Sequence, residues 1–322
     1  MKRKLNSVLH ENRAARWLAT GAMLLASFGL GTVAKASNPG LPFQIDPNVT
    51  SIAPAPDGGF WEQLQEDQVC PPNCATTPPG YTRFFDGAPV YDSVHHAGSI
   101  AAAPNTYGYW IVTPQGAIHA RGGAPELCSG SLGSCSGFGG GPPSVIVSIA
   151  ATPTGKGFWA LGLDGKVWTA GDAVSYGDAQ DSGGYATAIA AAPDGKGYCI
   201  SISDGGVYCR GEGGLFHGAH PPTDETITGI AFYIDSSNRV AGYWLLAKDG
   251  GVFSFDAPFW GSSGGNASFI VNIISFPQPG QNAANPQTTG YAFVDGNNGD
   301  ITVFRPQTAP QSVAASPFDR KP

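Results

Sequence analysis

Charged side chains are scarce in this 322-residue chain: Asp, Glu, Lys and Arg together make up only 13% of it. Positive charge is the scarcer sign, with 17 Lys and Arg against 24 Asp and Glu. A surface without clustered positive charge excludes nucleic acid and anionic membrane as partners, since both bind through basic patches. No His-Glu-x-x-His, phosphate loop or dinucleotide fingerprint is present, which excludes the enzyme classes that carry their chemistry on one local motif. Sites assembled from scattered loops stay open. No Cys-x-x-Cys-His occurs, so covalent haem is excluded, and no cofactor is expected.

What is abundant is glycine, at 46 residues, and proline, at 27. Without a period that composition reads as disorder. Here it has a period. Gly59-Phe60-Trp61, Gly108-Tyr109-Trp110, Gly157-Phe158-Trp159, Gly197-Tyr198-Cys199, Gly242-Tyr243-Trp244 and Gly290-Tyr291-Ala292 recur at spacings of 49, 49, 40, 45 and 48 residues. Units of that length made of short strands and Gly turns match a β-propeller blade, which buries its faces only by stacking on neighbours. The fold expected is all-β, a six-bladed propeller over residues 37–306.

Each repeat reads as a four-stranded blade. A small inner strand (Ser51-Ile52-Ala53, Ser99-Ile100-Ala101, Ser148-Ile149-Ala150, Ala188-Ile189-Ala190, Gly229-Ile230-Ala231, Asn272-Ile273-Ile274) suits the crowded centre of a ring. The aromatic strand follows. Asp164-Gly165, Asp204-Gly205, Asp249-Gly250 and Asn298-Gly299 then turn a hairpin, because glycine accepts the positive φ that the turn demands. Outer fourth strands are expected at Val90-Tyr91, Glu126-Leu127, Val174-Ser175-Tyr176, Leu215-Phe216 and Phe259-Trp260. The sixth repeat lacks one, and Pro42-Phe43-Gln44-Ile45 is expected to complete it from the N-terminal side, removing the last open edge. Residues 307–322 read as a flexible tail.

Residues 1–36 read as a signal peptide: a basic start, a 17-residue charge-free stretch over 17–33, and Ala34-Lys35-Ala36 as the cleavage site. A retained membrane anchor is the alternative; no paired arginine precedes the apolar stretch. The segment holds six of the 17 Lys and Arg and one of the 24 Asp and Glu, leaving the remainder at −12. A secreted or cell-surface location follows, without stable membrane insertion after cleavage. Six cysteines stand as local pairs, Cys70/Cys74, Cys128/Cys135 and Cys199/Cys209. An even count in an exported chain points to disulfides; metal ligation is the weaker alternative, because structural zinc sites combine two such pairs and these lie in different repeats.

The runs Gly242-Tyr-Trp-Leu-Leu-Ala-Lys-Asp-Gly-Gly-Val-Phe-Ser-Phe255 and Gly157-Phe-Trp-Ala-Leu-Gly-Leu-Asp-Gly-Lys-Val-Trp168 resemble a repeat of exported actinobacterial proteins. The resemblance covers residues 48–304 and is tightest in the third and fifth repeats. It implies a propeller, in a group where such repeats are sometimes attached to cell-wall hydrolases, and it carries over no catalytic residues.

The densest titratable cluster is His217-Gly-Ala-His220 with Asp224. Two histidines three apart near carboxylates suit metal binding or acid–base chemistry; a solvated loop, supported by Pro221-Pro222, is the alternative. His95-His96 holds the corresponding connection after the first repeat, so in a six-membered ring the two sets share one face. These five residues are the candidate ligand-binding set, with no metal expected. The function expected is a binding or cell-envelope interaction module for a glycan or protein. A hydrolase or lyase built at one mouth of the channel, or a structural surface protein, are the alternatives. The testable consequence is covalent: non-reducing peptide mapping of the exported protein should recover three intrachain disulfides, and free thiols at all six positions would overturn both the pairing and part of the export argument.

Overall fold

The computed structural model describes residues 34–36, 48–54, 60–65, 82–85, 98–104, 106–135, 144–265, 269–277, 287–296 and 301–306, which fall in one compact unit, Val33–Pro306. The strands are β1 (Ala34–Ala36), β2 (Asn48–Pro54), β3 (Phe60–Gln65), β4 (Thr82–Phe85), β5 (Ser99–Ala103), β6 (Gly108–Val112), β7 (Ile118–Arg121), β8 (Ile146–Ala151), β9 (Gly157–Gly162) and β10 (Val167–Gly171). They continue with β11 (Ala186–Ala191), β12 (Gly197–Ile202), β13 (Val207–Gly211), β14 (Ile227–Ile234), β15 (Val240–Ala247), β16 (Val252–Phe255), β17 (Ile270–Pro277), β18 (Thr288–Asp295) and β19 (Ile301–Phe304). The chain is all-β. Its six antiparallel sheets are β2–β4, β5–β7, β8–β10, β11–β13, β14–β16 and β17–β19 with β1 added outside β19.

The Asp-Gly hairpins form as expected. Gly165, Gly205 and Gly250 take φ of 82°, 91° and 87°, and Asp204 and Asp249 accept the N–H groups of Gly206 and Gly251 at 2.9 and 2.8 Å. The repeat glycine has a steric cause. A Cβ on Gly197 would come 2.5 Å from the Arg210 carbonyl oxygen of the facing strand.

The aromatic strands make the core. Trp110, Trp159, Trp244, Tyr109, Tyr198, Tyr243 and Tyr291 are fully buried, and each tryptophan packs on the aromatic of the next sheet: Trp110 on Phe158, Trp159 on Tyr198, Trp244 on Tyr291, at ring centroids of 5.5, 5.6 and 4.8 Å. Cys199, standing in the tryptophan phase, pairs directly opposite Cys209 and is disulfide-bonded to it; Cys128 and Cys135 form a second disulfide. Cys70 and Cys74 lie outside the described residues.

The expected fourth strands are corrected. Glu126-Leu127, Val174–Tyr176, Leu215-Phe216 and Phe259-Trp260 are not strands, and five of the six sheets have three strands; Val90-Tyr91 lies outside the described residues. Side chains, not a ladder, hold these connectors. The indoles of Trp110, Trp159 and Trp244 donate to the carbonyls of Pro125, Val174 and Pro258 at 2.9, 2.7 and 2.9 Å. A tyrosine of the next sheet grips the same connector: the Tyr198 hydroxyl accepts the Tyr176 N–H and donates to the Gly177 carbonyl, and Tyr291 does the same with Trp260 and Gly261. Tyr243 repeats the grip on His217 and Gly218.

The outer strand of the last sheet is N-terminal, but it is β1, paired Ala34 with Val303 and Ala36 with Ile301. Pro42-Phe43-Gln44-Ile45 lies outside the described residues. Gly177, Gly218 and Gly261 each precede the inner-strand positions Ala188, Gly229 and Asn272 by 11 residues, and 11 residues before Ser51 stands Gly40. The connector phase of the last repeat therefore centres upstream of Pro42.

The inner strands touch in succession: β2 lies against β5, β5 against β8, β8 against β11, β11 against β14, β14 against β17 and β17 against β2. Hydrogen bonds follow that order. The hydroxyls of Ser51, Ser99 and Ser148 accept the N–H groups of Ile100, Ile149 and Ile189 in the next sheet, at 3.4, 3.2 and 3.3 Å. Between the sixth and first sheets, Asn272 Nδ2 donates to Ser51 Oγ at 2.7 Å.

Burial raises the Tyr198 and Tyr243 hydroxyls above the ordinary phenol range and pushes Tyr291 up to about 12. A folded value above the unfolded one, about 10, contributes stability that is complete below about pH 10 and lost as pH rises toward 12. Base titration followed by tryptophan fluorescence should show cooperative unfolding in that window. Tyr291→Phe should lose about 1–3 kcal/mol at neutral pH by stranding the Trp260 N–H and Gly261 carbonyl; unchanged neutral stability would refute the grip.

Candidate functional site

The histidine cluster resolves into two phases of the connector. Aligned on the gripped glycine, Tyr176-Gly177-Asp178-Ala179, His217-Gly218-Ala219-His220 and Trp260-Gly261-Ser262-Ser263 superpose. His217 takes the aromatic place, its backbone N–H held by the Tyr243 hydroxyl and its ring edge-on to Tyr243 at 5.6 Å. His220 takes the place whose N–H donates to the hairpin glycine carbonyl, here Gly205 at 2.8 Å; Ala179 and Ser263 do the same to Gly165 and Gly250. Asp224 is exposed beyond it. His217, His220 and Asp224 do not converge, and among the described residues no group of three or more His, Cys, Asp or Glu side chains is placed to hold a metal. His95 and His96 lie outside the described residues.

His217 has a partner that sequence reading did not find. Its Nδ1 lies 2.9 Å from Asp256 Oδ2, a carboxylate from the end of the fifth sheet. Asp256 stands where Gly122, Gly171 and Gly211 stand in other repeats, and it keeps their left-handed backbone, with φ of 51°. The imidazole Nε2 is buried in the packing, so this pair does not offer a base to a solute unless the connector moves. A Gly-x-Ser-x-Gly run, Gly261-Ser262-Ser263-Gly264-Gly265, lies in the connector after β16. The next described element is the strand β17, from Ile270, not the helix of the strand–turn–helix elbow that exposes a nucleophile. Its first serine instead accepts the Val252 N–H at 3.1 Å.

The five tryptophans whose side chains are described serve the packing rather than a stacking platform. Trp110, Trp159, Trp168 and Trp244 are buried, and Trp260 stacks on Tyr291 at 5.6 Å. His119, half-buried in β7, has its imidazole held below the ordinary range by burial, with Arg121 adding to the effect.

The site that all six sheets build is a cavity of ≈ 160 Å³ lined by the starts of the inner strands. One-residue bulges there leave Thr50, Val147, Thr187, Thr228 and Asn272 out of the pairing, and all five line the cavity together with Ser51, Ser99, Ser148, Ala188 and Val271. No lining residue is charged. The lining is lopsided. Serine hydroxyls come from β2, β5 and β8, with Val147 beside them, whereas β11, β14 and β17 contribute Ala188, Val271, the Asn272 amide that donates to Ser51, and threonines whose hydroxyls are engaged, Thr187 with Ser201 and Thr228 with the Leu246 carbonyl. Val145, Tyr185 and Phe269 are 51%, 68% and 42% exposed, each two residues before a lining residue of its own strand. The repeat offered a signal for them: three bulky side chains recur at a phase just outside the inner strand.

Asp256 permits a test of the His217 pair. Asp256→Ala keeps the left-handed backbone and loses the carboxylate, whereas Asp256→Gly loses the carboxylate and relieves the backbone. The Gly variant should be the more stable of the two by about 1–2 kcal/mol in urea denaturation; equal values would mean that position 256 carries no strain.

No protein-family model matches this chain, and no curated protein matches it.

Proposed function

We propose that the chain is an exported six-bladed β-propeller that acts as a binding module of the cell envelope, taking a neutral, hydroxyl-rich ligand such as a glycan at the starts of its inner strands. The propeller reading is supported by the succession of inner-strand contacts that returns from β17 to β2 and by the Asn272–Ser51 hydrogen bond between the sixth and first sheets. In this reading the gripped connectors replace the outer strands; β1 coincides with the expected cleavage site Ala34-Lys35-Ala36, so it serves the last blade only in a chain that keeps its leader. The repeat's likeness to those of exported actinobacterial proteins agrees with it, as do two disulfides, which persist in oxidising compartments.

The observation that carries the binding reading is the uncharged cavity with Val145, Tyr185 and Phe269 exposed beside it. Hydroxyl and amide groups orient a polar ligand, while Tyr185 offers an aromatic face to its apolar side and Phe269, with Lys248 Nζ 4.9 Å over its ring, offers what the ammonium leaves open. Charged ligands fit poorly, because a desolvated charge without a partner costs far more than a neutral polar group. Screening the full chain against a glycan and peptidoglycan array should give hits that weaken at least ten-fold in Tyr185→Ala/Phe269→Ala, with the thermal midpoint unchanged since both side chains are exposed. Broad negative results together with turnover of an ester or lactone would replace this reading with the hydrolase alternative.

A further inference from the structure

The lopsided lining specifies a chemical group. Ser51 Oγ accepts two hydrogen bonds, from Ile100 N–H and Asn272 Nδ2, so its two lone pairs are engaged and its own proton is what it can offer. Ser99 and Ser148 each accept one N–H from the next strand, which directs their protons away from that strand. Three neighbouring strands thus present hydroxyl donors along one side of the cavity. A hydroxyl is one donor with two acceptor sites; both are in use on Ser51 and one each on Ser99 and Ser148. The other side carries Ala188, Val271 and two threonines whose hydroxyls are engaged elsewhere, Thr187 with Ser201 and Thr228 with Leu246, and it ends at the Asn272 amide that holds Ser51.

The group that fits accepts hydrogen bonds on one side and presents a methyl on the other. A carboxylate accepts well, but no lining side chain is positive, and an unpaired buried anion is strongly disfavoured. A plain sugar hydroxyl lacks the apolar half. At ≈ 160 Å³ the cavity is also smaller than the roughly 300–1,000 Å³ of sites that enclose a whole drug-sized ligand, so it takes a substituent while the rest of the ligand stays outside, against Tyr185 and Phe269.

We infer that the cavity holds the acetamido group of an N-acetylated neutral sugar, its carbonyl oxygen on the serine side and its methyl against Ala188 and Val271. This rests on the binding reading above and names the ligand class of that same site.

The experiment is calorimetric titration of the full chain with an N-acetylglucosamine oligomer and with a glucose oligomer of equal length, repeated on Ala188→Val. The expected result is binding of the acetylated oligomer at least ten-fold tighter than the glucose oligomer. Ala188→Val, which adds two methyls to the apolar side at a β-favoured position, should reduce that binding at least five-fold at an unchanged thermal midpoint. Equal binding of the two oligomers overturns the acetamido assignment while leaving the binding module standing. Acetylated-oligomer binding that Ala188→Val leaves untouched moves the site away from the cavity and overturns the inference. If Ala188→Val lowers the midpoint, Tyr185→Ala replaces it, with the same two outcomes.

Discussion

The structure depends on one arrangement: aromatic side chains of each second strand tether backbone that has no ladder of its own. A tryptophan indole takes a carbonyl of the connector that leaves its own sheet, and a tyrosine of the following sheet takes an N–H and a carbonyl a few residues on. Buried backbone groups without partners are strongly disfavoured, so these side-chain bonds allow three-stranded sheets to stand where a ladder would otherwise be needed. They also couple sheets. Because Tyr198, Tyr243 and Tyr291 each grip the connector of the preceding sheet, the third to sixth sheets cannot separate without stranding those groups.

The same arrangement explains why the histidines are poor candidates for chemistry. His217 stands in an aromatic phase of the tether system and His220 in a backbone-donor phase, so both are placed by the repeat. What does not follow from the repeat is the His217–Asp256 contact, which joins two departures in different repeats: a histidine for an aromatic, and an aspartate for a left-handed glycine. Left-handed backbone on a residue other than glycine costs of order 1–3 kcal/mol, and the carboxylate is its evident return. The cavity differs in kind. It arises where six inner strands meet, and its serines on one side reflect the change from Ser51, Ser99 and Ser148 to Ala188 and Gly229 along the chain. A Cβ on Gly229 would come 2.9 Å from Ile273 Cγ2, so β17 approaches β14 closely at that point.

Much of this was legible in the sequence for a local reason. Asp-Gly turns, the Gly-aromatic strands and the facing pair Cys199 and Cys209 are set by neighbours within about ten residues. Val174–Tyr176 and Phe259-Trp260 misled, because their apolar residues look like a strand but serve as anchors for Trp159, Trp244 and their neighbours; an anchor and a strand share the same composition. The last sheet takes β1 at its edge, and counting back from Ser51 puts the connector phase at Gly40, upstream of Pro42. The His217–Asp256 contact was invisible, since 39 residues separate the two and neither departure announces the other.

The sequence by itself determined the all-β class, the number of repeats, the hairpin positions and the burial of the aromatic strands, because periodicity and turn stereochemistry act over short distances. Only the tertiary structure decided which apolar segments pair and which are tethered, that Ser51 answers to Asn272 across most of the chain, and that three serines of neighbouring strands line one side of a cavity. Those outcomes depend on which backbone groups of different repeats come within hydrogen-bonding reach, a distance that no local pattern encodes.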